Sequence, residues 1–329
     1  LSNKKLVSLF SILFLLVVLF FYLSNTYTSV EIYSMNTVID IKVWGINRFK
    51  AVKDIEFEIN KLNALFDDFS PNSEVTLINN NAGIKPVKVS YETLDIITKA
   101  KDMYDKTDGN FNIMIAPVLK LWGFKSGDFK VPAKNEIEEA LKLTDINDLI
   151  ISGDEVFLKK KGESIDLGGI AKGYALDKVK DIIENDNVTK AVINMGGNVF
   201  VYSKNNNEIF TIGIKHPREN GIIATVKVKS GTFVATSGDY ERFFEYKGVR
   251  YCHIFDPKTG FQANEIVSAT AITKTGYVGD VLSTAMFVDG KDSAFELAKR
   301  LNASCIIVDK ELNVFYTDDL KGVVSVENR

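Results

Sequence analysis

Ala224-Thr225-Val226-Lys227-Val228-Lys229 alternates small or apolar side chains with polar ones at every second position. In a strand, successive side chains point to opposite faces, so Ala224, Val226 and Val228 would face a core while Thr225, Lys227 and Lys229 face water. Strand-like runs at Ala191–Asn194 and Phe210–Ile214 precede it, and Cys305–Val308 follows. Helical spacing appears elsewhere. Val52, Ile55, Ile59, Leu62 and Leu65 recur on one face from about Ala51, and Leu94, Ile97 and Tyr104 do so within Tyr91–Asp105. Glu136–Leu143, the stretch holding Ala175, Val179 and Ile182, Gly279–Val288 and Ser293–Leu301 also read as helices. Ser34–Trp44, Val156–Leu158 and Ser164–Asp166 read as strands. Strands and helices mix without a strict βαβ rhythm, which indicates an α+β fold rather than a doubly wound sheet. No Pro/Ser-rich linker and no short repeat divides residues 31–329, so they form one large domain.

The first 30 residues differ. Lys4 and Lys5 precede a strongly apolar run, Leu6–Leu23, interrupted only by Ser8 and Ser11, and no charge follows until Glu31. Eighteen helical residues span roughly 27 Å, close to the ~30 Å hydrocarbon core of a bilayer. Tyr22 and Tyr27 would mark the outer interface, and the two lysines would keep the N-terminal end in the cytoplasm. Residues 1–30 are therefore expected to be one N-terminal transmembrane anchor of the cell membrane, with the body extracytoplasmic. There is no small-residue cleavage pattern and no cysteine after the run.

Net charge is −3 with no basic stripe, which argues against nucleic-acid binding. An acidic body does not attract anions at long range, so any anion would be held locally by a metal, a lysine or backbone N–H groups. Cys252 and Cys305 are the only cysteines, and His216 and His253 the only histidines. That excludes a CxxC-type zinc site and a histidine-rich metal site.

Four clusters carry potential chemistry. In Asp166-Leu-Gly-Gly-Ile-Ala-Lys-Gly-Tyr-Ala-Leu-Asp177, a glycine pair before a helix lets backbone approach a ligand, and the helix start with Lys172 could hold a phosphate. The same pattern also serves as a plain connection. In Gly279-Asp-Val-Leu-Ser-Thr-Ala-Met286, Asp280 and Thr284 lie four apart and share a helix face. A carboxylate with a hydroxyl suits a hard cation such as Mg²⁺ leaning on substrate phosphates, and equally suits a helix-dipole aspartate beside a core threonine. Thr236-Ser-Gly-Asp-Tyr-Glu-Arg242 is followed by His253-Ile-Phe-Asp-Pro-Lys-Thr-Gly260, a tight turn led by one of two histidines. Asn194-Met-Gly-Gly-Asn198 is a close-approach turn or a bulge.

With Met35-Asn-Thr, Phe69-Ser-Pro-Asn-Ser-Glu74, Leu77-Ile-Asn79, Thr107-Asp-Gly-Asn-Phe-Asn112 and Leu121-Trp-Gly-Phe124, these clusters stand in an order that resembles the ApbE-type FAD:protein FMN transferases, from about Tyr33 to Tyr316. The resemblance implies a domain of mixed, largely antiparallel sheets flanked by helices. It also implies Mg²⁺-dependent transfer of FMN from FAD to a threonine hydroxyl, releasing AMP. Met35, Phe69, Asn110, Phe111 and Asn112 would line the flavin pocket, and Asp166, Lys172 and Ile254 or Phe255 would touch FAD. The Gly169 carbonyl, Asp280 and Thr284 would hold Mg²⁺. His253 matches the family's catalytic histidine, with Asp280 as second candidate base. Acceptors would carry an Asp-x-x-Ser/Thr-x-Ala-Thr-like motif, as subunits of redox-driven ion pumps or extracellular flavin reductases. Phe69 stands where tyrosine is frequent, Asn112 where aspartate is frequent, and Gly279 where alanine is common. Two other outcomes share these residues: hydrolysis of FAD to FMN and AMP, and flavin carriage without turnover.

Overall fold

The computed structural model describes residues 10–16, 18 and 24–327. Its spine is an eight-stranded sheet whose spatial order follows the chain: β1 (Tyr27–Ser34), β2 (Thr37–Trp44), β3 (Lys190–Met195), β4 (Asn198–Ser203), β5 (Thr232–Gly238), β6 (Ile266–Thr273), β7 (Ser304–Asp309) and β8 (Val314–Tyr316). Every neighbouring pair is antiparallel, as the α+β reading expects. Two-residue loops close β1–β2 and β3–β4. Met35 and Asn36 have φ of 50° and 58°, and Gly196 and Gly197 have 57° and 93°. Positive φ at both central residues gives the hairpin turn whose twist matches the strands.

The helices are insertions between strands, and they cover one face of the sheet. α1 (Arg48–Phe66) buries Val52, Ile55, Ile59, Leu62 and Phe66; α2 (Ala171–Asn185) buries Tyr174, Ala175, Val179 and Ile183. α3 (Gly276–Arg300) joins β6 to β7. They pack on Ile39, Ile41, Val43, Ile193, Phe200, Ala269 and Ile307 of the strands. The other face is covered at its β4–β8 end by a three-stranded sheet formed by Ile209–Lys215, Ile222–Lys229 and Val324–Val326. Ala224, Val226 and Val228 are buried there against Val201, Val234, Ile306 and Val308, while Lys227 and Lys229 are exposed. β6, covered from both sides, is buried at every position.

One expectation needs correction. Ser164–Asp166 is not a strand: its backbone groups bond to the Asn79 side chain and to Ile113 O instead of a ladder. The two helices expected at Gly279–Val288 and Ser293–Leu301 are the two arms of α3, which breaks at Gly290, whose φ is +79°. Tyr27 is the first residue of β1, its ring 5.3 Å from that of Trp44, so the sheet begins inside the segment assigned to the anchor. The run Leu6–Leu23 lies largely outside the described residues. Among those described, no helix is long and apolar enough to cross a membrane.

Candidate functional site

α2 and α3 meet at their first turns because both carry glycine there. A Cβ on Gly173 would lie 2.3 Å from Gly276 O, and one on Gly276 2.2 Å from Gly173 O. Asp177 of α2 accepts from the N–H groups of Gly276 and Tyr277 at 2.7 and 2.9 Å, capping α3. This close crossing brings Asp280 of α3 against α2. Its Oδ2 accepts from Gly173 N at 2.9 Å and its Oδ1 from the Asn198 amide at 2.7 Å. The helix start therefore gives one of its N–H groups to Asp280, and another, on Ala171, to Leu167 O. It offers a phosphate fewer donors than its sequence suggests, and the buried carboxylate stands in their place.

One turn further on, Thr284 Oγ1 sits 3.2 Å from Ser237 Oγ on β5 and 3.5 Å from Asp280 O. Both neighbours can accept its proton, which leaves a lone pair for a ligand. Gly169 faces this hydroxyl: a Cβ there would lie 3.6 Å from Thr284 Oγ1 and 3.0 Å from the Phe111 ring. Among the described residues no three His, Cys, Asp or Glu side chains converge on one point. A cation here would be held by oxygens of a carboxylate, a hydroxyl and the Gly169 carbonyl, with remaining positions for water and phosphate. That hard donor set fits Mg²⁺.

His253 follows a two-stranded hairpin (Phe243–Tyr246 with Val249–Cys252). Its backbone N–H donates to Arg242 O at 3.0 Å, and its Nδ1 lies 3.1 Å from the same oxygen. A carbonyl only accepts, so Nδ1 carries the hydrogen and Nε2 keeps the lone pair. Burial pushes the imidazole down to about 4, helped by the nearby Arg242 charge, so the ring is neutral at physiological pH. Arg242 itself donates to Phe124 O at 3.0 Å. Phe255 is buried against Trp122 and Phe124, which ties the histidine turn to Leu121-Trp-Gly-Phe124.

Gly169, Ser237, Arg242, His253, Phe255, Asp280 and Thr284 face one cleft of roughly 1020 Å³, at the upper end of small-molecule sites. Its walls include Met35, Phe69, Asn110, Phe111, Asn112, Asp166, Gly169, Lys172, His253, Ile254, Phe255, Asp280 and Thr284. The structure thus gathers every residue singled out above. It also gives some of them other duties. Asn112 spends its amide on Thr144 O at 2.8 Å and Met114 N at 2.9 Å, and Asn110 accepts from Lys258 at 2.7 Å. Phe69 is mostly exposed at the rim, free to lie against a ring system.

Two cleft residues, Asp68 and Lys125, escaped the sequence reading, and two residues inside its clusters, Ser237 and Asn198, were given no role there. Lys125 pairs with Asp68 at 2.5 Å and with Asp166. Burial pushes the Asp166 carboxyl up, but the Lys125 ammonium and the Gly168 N–H outweigh it and hold the group below the usual carboxylate range. Burial and the adjacent Asp166 charge raise Asp68. Asn198 had a signal, since it ends Asn194-Met-Gly-Gly-Asn198; Lys125 had none beyond its place after Trp-Gly-Phe.

Comparison with known proteins agrees with this geometry. The profile of the ApbE family matches residues 35–307. A protein named FAD:protein FMN transferase from Klebsiella pneumoniae (strain 342) is 36% identical over 248 residues, covering 74% of this chain and 77% of that protein. The crystal structure of an ApbE protein from Thermotoga maritima is 34% identical and superimposes with a TM-score of 0.85 over 91% of this chain and 99% of that one. The apo flavinyl transferase ApbE of Pseudomonas stutzeri is 26% identical, with a TM-score of 0.79 over 91% and 98% of the two chains. With the family profile matching residues 35–307 and relatives of 36% and 34% identity covering most of its length, the chain belongs to the ApbE family.

Proposed function

We propose that this protein is an FAD:protein FMN transferase: it moves FMN from FAD to a threonine hydroxyl on an acceptor protein and releases AMP. The supporting observation is the meeting, in one cleft, of a buried carboxylate, a hydroxyl one helical turn away, and a neutral histidine with its Nε2 unprotonated. Mg²⁺ held by Asp280, Thr284 and the Gly169 carbonyl would neutralise charge on the diphosphate and on the departing AMP. The protein's own groups do the rest. Gly173 N–H and the Asn198 amide each occupy one oxygen of the Asp280 carboxylate, whereas His253 Nε2 keeps its lone pair, so His253 is the group placed to take a proton. Lys172 supplies a positive charge in the cleft, and Met35, Phe69 and Phe111 supply apolar walls for the flavin and adenine rings.

The threonine oxygen attacks the phosphorus on the FMN side. A P–O bond forms to threonine, the anhydride P–O bond to AMP breaks, and the threonine proton passes to His253 Nε2. The acceptors would carry an Asp-x-x-Ser/Thr-x-Ala-Thr-like segment, as the resemblance to the family implies. The apolar run after Lys4 and Lys5 supports a membrane anchor with the domain outside the cytoplasm. The test combines the full chain in detergent with FAD, Mg²⁺ and an acceptor domain, and measures AMP and protein-bound flavin. Both products together support transfer. AMP alone means hydrolysis, and neither product means carriage; either result overturns the proposal.

A further inference from the structure

Leu121-Trp-Gly-Phe124 is followed by a lysine, Lys125, that no step above uses. The Trp122 indole N–H donates to Gly260 O at 3.1 Å, and Phe124 O accepts from Arg242. The segment is thus pinned to the histidine turn on one side. Gly123 has φ +90°, and a Cβ there would lie 2.3 Å from Asp128 O, so the chain reverses in a space that only glycine fits. The reversal sends Lys125 into the cleft wall, where its side chain is only 16% exposed.

There its ammonium meets three segments at once. It pairs with Asp68, which follows α1, and with Asp166, which precedes the glycine pair. It also lies 5.1 Å from the centre of the Phe69 ring. Asp166 Oδ1 is held by Gly168 N–H at 2.6 Å and Oδ2 by Lys125. Both oxygens keep a second lone pair. The carboxylate is therefore fixed beside an exposed aromatic ring. That arrangement suits the flat face of a nitrogen heterocycle with an N–H edge, with the ring on Phe69 and the N–H on Asp166.

We propose that Lys125 is a positioning residue for the substrate's heterocycle: it holds Asp166 charged and aimed, and through Asp166 it sets the affinity for FAD. This rests on the proposed transferase reading. Removing the ammonium leaves two carboxylates facing each other in a half-buried wall. One of them must then take up a proton or turn to solvent, and the acceptor presented to the substrate is lost.

The test is equilibrium binding of FAD to the full chain, read by flavin fluorescence with EDTA present and no acceptor, so that no turnover enters. Lys125→Met is expected to raise the Kd by about tenfold or more, while kcat at saturating FAD, measured separately with Mg²⁺ and an acceptor domain, stays within about threefold of wild type. Lys125→Arg, which can still bridge two carboxylates, is expected to restore most of the affinity. Asp166→Asn should weaken binding as much as Lys125→Met, and the double variant should be no worse than either alone. The double variant also removes the mismatch of charge, so it reports even if Lys125→Met does not fold. Wild-type affinity in Lys125→Met, or independent multiplying effects of the two substitutions, would overturn the inference. If wild type binds FAD and shows this pattern but transfers nothing, the transferase reading fails and the role of Lys125 stands. If wild type does not bind FAD, both fall.

Discussion

Gly173→Ala sets two principles against each other. Alanine is the better helix former by about 1 kcal/mol, and Gly173 lies inside α2, so propensity alone predicts a more stable protein. The crossing predicts the reverse. The added Cβ would lie 2.3 Å from Gly276 O and 2.7 Å from Asp280 Cβ, where carbon contacts normally settle near ~3.5 Å or beyond. Backbone is in the way, so the helices must part by about 1 Å. Overpacking of this kind costs about 1–3 kcal/mol. Parting also stretches the 2.9 Å bond from Gly173 N to the Asp280 carboxylate, and a bond to a charged group is worth about 1.5–3 kcal/mol. The net expectation is destabilisation by about 2–5 kcal/mol. Urea unfolding of the variant should show a lower midpoint with an unchanged slope. Calorimetric titration should show weaker Mg²⁺ binding, because Asp280 has moved. A variant as stable as wild type, or more so, would refute the interlocked crossing on which the placement of Asp280 rests.

The other predictions concern groups around that crossing. His253→Ala should lower the transfer rate by about 10²–10⁴-fold, and a full rate would remove the residue from the mechanism. Because burial and Arg242 hold the folded His253 near 4, below the ~6.5 of a free imidazole, its neutral form adds stability that is complete above about pH 6.5 and is lost as pH falls through about 4. The acid limb of kcat/KM should accordingly centre near 4; a limb near 6.5 would contradict the buried environment. Thr284→Val should weaken Mg²⁺ binding about tenfold or more in calorimetry, with Thr284→Ser close to wild type, whereas equal affinities would exclude the hydroxyl as a ligand. Asn198→Leu leaves Asp280 Oδ1 without its 2.7 Å donor, and unfolding measurements should show a loss of about 1–3 kcal/mol.

How much of this was legible before the structure depends on the range over which each signal acts. The strand at Ile222–Lys229 announced itself because only one of its faces is buried, and the period of two survives in the residues. β6 did not, because a strand covered from both sides carries no alternation: Ile266–Thr273 is buried throughout. The helices from Arg48 and Tyr91 were readable from their apolar spacing, and so were the two arms that meet at the Gly290 break. Tyr27 was not read as the start of a strand, because an aromatic after an apolar run fits a membrane interface as well as it fits a strand. The site divides in the same way. Asp280 and Thr284 are neighbours on one helix, so local geometry alone puts their oxygens together. Lys125 meets Asp68 and Asp166 across separations of 57 and 41 residues, and no spacing rule reaches that far. Yet this distant set and the helix crossing face one cleft, and they are joined to it through one chain of contacts. Lys125 adjoins Phe124, whose carbonyl holds Arg242, whose own carbonyl fixes the His253 ring. A lysine without a sequence motif can therefore sit on the same rigid frame as the histidine that has one, and a disturbance at the Trp-Gly-Phe turn should register at both.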